Sequence, residues 1–69
     1  AISASIIFNA ANEVAVQSFL DDKLSFINII TVVEESLSKI PSSEPSSLID
    51  IKVIDEEARR IAGSLIACL

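Results

Sequence analysis

Residues 25–40, SFINIITVVEESLSKI, decide the fold. Phe26, Ile29, Ile30, Val33, Leu37 and Ile40 recur at helical spacing, whereas the β-branched run Ile29 to Val32 on its own would suit a strand. The 3.6-residue period holds over the fifteen positions from Phe26 to Ile40 and settles the choice for a helix. Ser25 is placed to cap its N-terminus, Lys39 suits the negative end of its dipole, and Pro41 stops it.

Working back from that helix, DDK at 21–23 closes an earlier one that runs from about Ser5 to Leu20 and ends before Asp22, because acids are unfavourable at a helix C-terminus. Within it lies NAANEVAV, residues 9–16, where amides and a carboxylate sit among valines and alanines. Ser5, Asn9, Asn12, Glu13 and Gln17 fall three and four residues apart and form one polar stripe. The rest of the cylinder is apolar over a wider arc than one buried face requires, so this helix is expected to be covered from two sides.

Working forward, PSSEPSS at 41–47 is a polar connector. Ser47 and Asp50 resemble a capping pair that opens a short turn through LIDI, and Asp55 then caps EEARRIAGSLIACL. Glu56 and Glu57 suit the positive first turn, Arg59 and Arg60 lie four residues after acids, and Ala58, Ile61, Ala62, Leu65 and Leu69 share an apolar face. Gly63 costs about 1 kcal/mol relative to Ala in a helix, so either a close helix approach or simple drift accounts for it. The expected fold is all-α, a small bundle of three main helices plus a short extra helical turn, in one domain spanning 1–69.

Composition narrows function. Five basic against ten acidic residues, net charge −5, leave no basic stripe for nucleic acid. Apolar runs break well short of the roughly 20 residues a membrane span needs, and AISASIIF has no positive flank of a signal peptide. With 69 residues and no disulfide framework the core is marginal, and the lack of any methionine points to a fragment or processed product. Cys68, the single cysteine, is expected to be inert.

No catalytic site is expected in this segment. Histidine is absent, and the adjacent pairs Asp21–Asp22, Glu34–Glu35 and Glu56–Glu57 diverge by about 100° on a helix and cannot converge as a dyad. Eleven serines have no base to activate them, and the single glycine excludes a phosphate-cradling loop. No cofactor or metal site is expected either, because neither a Cys/His spacing nor an acidic loop is present.

NAANEVAV, followed by FLDDKLSFINI and VVEESL, closely resembles the C-terminal helical domain of the 1-deoxy-D-xylulose 5-phosphate reductoisomerases, and IDEEARRIA resembles that family's final helix. The resemblance runs in order through nearly the whole chain. It implies a parent enzyme of the non-mevalonate isoprenoid pathway that converts deoxyxylulose phosphate to methylerythritol phosphate with NADPH and Mg or Mn. It also implies a homodimer in the bacterial cytoplasm or a plastid-type organelle. The NADPH-binding and catalytic domains would lie upstream, so no catalytic residue carries over. One departure is Ser5, where the family commonly has proline, so the entry into the first helix is expected to differ from the family's.

On this reading Asn9, Asn12 and Glu13 are candidate interdomain contacts, the amides bonding backbone groups of a neighbouring segment and Glu13 completing the stripe. A solvated stripe is the alternative. An isolated fragment with so much apolar surface is expected to self-associate. Two other classes remain: an acidic carrier domain with Ser47 as the prosthetic-group serine, and a helix-in-groove interaction module.

Overall fold

The computed structural model describes residues 2–41 and 43–69; Ala1 and Ser42, at the edges of the expected first helix and connector, lie outside them. Among the described residues three α-helices make up the architecture: α1 (Ile2–Leu20), α2 (Phe26–Lys39) and α3 (Leu48–Ala67). The fold is all-α, as the hydrophobic periods require.

Helix α1 packs against both other helices, and α2 meets α3 less extensively. Its buried residues Ser3, Ile7, Ala10, Ala11 and Ala15 follow three- and four-residue steps. Small side chains let the axes approach closely: Ala10 packs in one cluster with Ile7 and Ala58, and Ala11 and Ala15 in another with Leu24, Val32, Val33 and Ala62. Helices α2 and α3 thus cover α1 on two adjoining sides, while its Ile2, Phe8, Phe19 and Leu20 stay exposed. The helix also begins at Ile2, a turn earlier than the expected Ser5, so Ser3 lies inside it and is fully buried. The Ser3 hydroxyl accepts the backbone N–H of Ser43 at 3.0 Å, which fastens the α2–α3 connector to the start of α1.

The α1–α2 corner is a left-handed helix stop. Asp22 has φ 63°, its N–H donates to the Phe19 carbonyl at 3.0 Å, and the Lys23 N–H reaches the Ser18 carbonyl at 2.8 Å. This pair of bonds is the Schellman pattern, with Asp22 in the place glycine usually fills. Leu24 then turns inward and joins the core.

Helix α2 is capped as expected, with Ser25 Oγ accepting the Asn28 N–H. Its buried line, however, is Val32, Val33 and Ser36, while Phe26 and Ile30 face outward. The apolar stripe is wider than the contact surface, and the core takes its smaller members.

The third helix corrects the reading in two places. Ser47 caps it by accepting the Asp50 N–H, but the turn through LIDI continues without a break into the final helix. Asp55 is not a cap: it lies within α3, where its carboxylate accepts Arg59 Nε at 2.8 Å. No proline or glycine stands between the Ser47 cap and Gly63, so nothing interrupts the ladder through LIDI. Arg60 pairs with Glu57, three residues back, in place of Glu56. Ala58 and Ala62 are buried, Ile61 and Leu65 half-buried, and Leu69 exposed beyond the helix end. No other helix comes close to Gly63, since an added Cβ would meet nothing within 4 Å.

Candidate functional site

The polar stripe of α1 faces outward: Ser5, Asn9, Glu13 and Gln17 are exposed and Asn12 is half-buried. Its members are tied largely to one another and to α3. Asn9 Nδ2 donates to Glu13 Oε2 at 3.4 Å, and Glu13 Oε1 accepts Arg59 Nη2 at 3.2 Å. Arg59 also holds Asp55, so one guanidinium joins carboxylates of two helices and is held above its ordinary pKa first by Asp55 and then by Glu13. Gln17 Nε2 reaches Asp21 at 3.1 Å. The chain Asn9–Glu13–Arg59–Asp55 thus registers α3 against α1. Arg59 was legible only as a partner within its own helix, because its link to Glu13 spans 46 residues.

Asn12 stands apart, as its side chain makes no hydrogen bond among the described residues. Of the three residues singled out from sequence, the structure joins Asn9 and Glu13 and leaves Asn12 to one side. Glu13 is the one ionisable residue of α1, so the outer face of that helix otherwise carries only apolar side chains, hydroxyls and amides.

At the other end of the molecule, Asp50 accepts both the backbone N–H of Ser46 at 3.0 Å and its hydroxyl at 2.8 Å. These bonds hold the Asp50 carboxyl below the usual aspartate value, the backbone N–H contributing most. Together with the Ser47 cap they close the start of α3, Asp50 reaching back to Ser46, one residue before the cap. Arg60 likewise holds Glu57 below the usual glutamate value.

Cys68 is exposed at the end of α3 beside a shallow apolar recess lined by Thr31, Val32, Leu65 and Leu69. Among the described residues no group of three or more His, Cys, Asp or Glu side chains lies together to hold a metal ion. Among them, too, no helix is long and apolar enough to cross a membrane.

Comparison with known proteins agrees with this architecture. Residues 2–61 match the family model described as the DXP reductoisomerase C-terminal domain. The 1-deoxy-D-xylulose 5-phosphate reductoisomerase of Rhodospirillum centenum is 45% identical over 65 residues, covering 94% of this chain and 16% of that protein. The enzyme of the same name from Solibacter usitatus is 46% identical over 66 residues, covering 96% and 17%. The solved structure of the Zymomonas mobilis reductoisomerase in complex with NADPH superposes with a TM-score of 0.89 at 45% identity, over 93% of this chain and 17% of that one. The chain spans about one sixth of the length of the relatives it matches. With the helix order, the corner and the caps all inside the matched span, the chain belongs to the DXP reductoisomerase C-terminal domain family.

Proposed function

We propose that this chain is the C-terminal structural domain of a reductoisomerase that converts 1-deoxy-D-xylulose 5-phosphate to 2-C-methyl-D-erythritol 4-phosphate. The reaction consumes NADPH, needs a divalent metal such as Mg or Mn, and serves non-mevalonate isoprenoid synthesis. The observation that carries the reading is the match to such enzymes along 93–96% of the chain at about 45% identity.

The domain packs on the catalytic domain and fixes its geometry, and by itself turns over no substrate. Among the described residues no three His, Cys, Asp or Glu side chains lie together, and the one glycine lies inside α3. On this reading metal and NADPH are held by the remaining five-sixths of such an enzyme, and no chemical step is routed through residues of this chain. Asn9, Asn12 and Glu13 lie on the outward stripe of α1; Asn9 and Glu13 are tied to each other and to Arg59 of α3, and Asn12, whose amide bonds nothing among the described residues, is the one that meets the catalytic domain. The enzyme works as a homodimer in a bacterial cytoplasm or a plastid-type compartment.

The test is to join this segment to the upstream sequence of its own gene and follow NADPH oxidation with 1-deoxy-D-xylulose 5-phosphate and Mg or Mn. Substrate-dependent oxidation is expected from the joined polypeptide, and none from the segment alone. A folded joined polypeptide that leaves NADPH untouched overturns the assignment.

A further inference from the structure

The chain has three aromatic side chains, Phe8, Phe19 and Phe26, and all are outside the core: they are 52%, 39% and 68% exposed. The buried apolar set is Ile7, Leu24, two valines and five alanines. A small domain with a marginal core would gain most by burying its largest apolar groups, and this one leaves them in the open. Aromatic residues are the type enriched at interfaces between folded surfaces.

Their placement is regular. Phe8, Asn12 and Phe19 lie zero, four and eleven residues along α1, offsets that keep all three within about 40° around the axis and spread them over about 16 Å. Phe26, Ile30 and Leu37 repeat the same offsets along α2. The two lines run side by side in opposite directions. Phe19 meets Phe26 edge-on with ring centroids 5.7 Å apart, and Phe8 shares a shallow groove with Leu37 at the far end. Ile30 is 60% exposed between them. Neither line contains a charged residue, and the single polar member is the half-buried Asn12, whose amide has no partner among the described residues.

We infer that this α1–α2 face is the surface on which the upstream part of the same polypeptide seats. The inference deepens the proposed function and rests on it. The occupant follows from size and charge. Relatives are about six times longer than this segment, so a large folded neighbour is available in the same chain. The two lines themselves carry no charge on a molecule of net charge −5, with exposed Glu34 one turn beyond Ile30 at their rim, and so select an apolar neighbour that offers a backbone or amide group to Asn12. Glu13, bound to Arg59, and Asn9, bound to Glu13, are then bundle residues, and Asn12 is the docking amide. Leu48 and Ile49 at the start of α3 are also exposed, but Asp50, Lys52 and Glu56 follow them closely, which marks a solvated end.

Hydroxyl-radical footprinting of the complete polypeptide, read by mass spectrometry, tests this without requiring turnover. Corrected for intrinsic reactivity, Phe8, Phe19 and Phe26 are expected to be modified several-fold more slowly than Leu48 and Ile49, at every protein concentration. Equal rates overturn the inference. Protection of Leu48 and Ile49 in place of the phenylalanines also overturns it and leaves the proposed function standing, because the domain would then dock through α3. Protection that disappears on dilution assigns the face to a second copy and overturns the occupant named here. Shielded phenylalanines in a polypeptide that does not oxidise NADPH uphold the docking face and remove only the assigned reaction.

Discussion

Two buried serines should respond to the same substitution with opposite signs. Ser36 is fully buried on the inner face of α2, and its hydroxyl has no hydrogen-bond partner among the described residues. A hydroxyl taken out of water without a partner costs about 1–3 kcal/mol. Ser36→Ala removes that cost and adds a few tenths of a kcal/mol of helix propensity. Against this stands the lost oxygen: a void of ~20 Å³ at about 24 cal/mol per Å³ costs ~0.5 kcal/mol. The desolvation relief wins, for a net gain of about 1–2 kcal/mol, or roughly 5–15 °C in Tm for a domain of this size. Ser3 is just as buried, but its Oγ accepts the Ser43 N–H at 3.0 Å. Ser3→Ala should therefore lose about 0.5–1.5 kcal/mol and release the connector from α1. Thermal unfolding of the two variants and the parent chain, followed by circular dichroism, makes the comparison. If Ser36→Ala melts below the parent, or both variants move the same way, then partner geometry does not govern these two sites and the reasoning fails.

Removing either helix cap, Ser25→Ala or Ser47→Ala, should cost about 0.5–2 kcal/mol in urea unfolding, since each hydroxyl satisfies one N–H of a first turn. Asp22→Gly should raise the melting temperature, because φ 63° is free of strain only for glycine; the gain is about 1 kcal/mol, and no gain would mean that the Asp22 side chain compensates. The Asp50 carboxyl binds its proton more weakly in the folded chain than in the unfolded one. Its contribution is thus complete above the ordinary aspartate value of 3.8 and fades as pH falls through the lower folded value. An acid titration of Asp50→Asn against the parent should show the difference between them shrinking only in that range.

How far the sequence is legible depends on how many physical demands agree at each position. In α2 the period, the cap at Ser25 and the stop at Pro41 all point one way, and the helix lies where they put it. In α1 the apolar residues go nearly all round, so periodicity cannot say which side is core. The choice is made by size, as Ala10, Ala11 and Ala15 admit close neighbours while Phe8 and Phe19 do not. Asp55 was ambiguous because an acid four residues before an arginine serves equally as a cap and as a pairing residue, and Ser47 had already started the helix. The Glu13–Arg59 link and the Ser3–Ser43 bond depend on three-dimensional proximity that no local pattern encodes. Gly63 shows the same limit from the opposite side. Sequence alone left a close helix crossing as one reason for it, yet an added Cβ would stand in open space. With no packing role to lose, Gly63→Ala should stabilise the bundle by about 1 kcal/mol through lower unfolded-state entropy alone. In the complete enzyme the same substitution separates two cases: an equal gain means that α3 is bare there as well, whereas a loss of stability would show that a neighbouring segment lies against Gly63 and that the docking surface extends beyond α1 and α2.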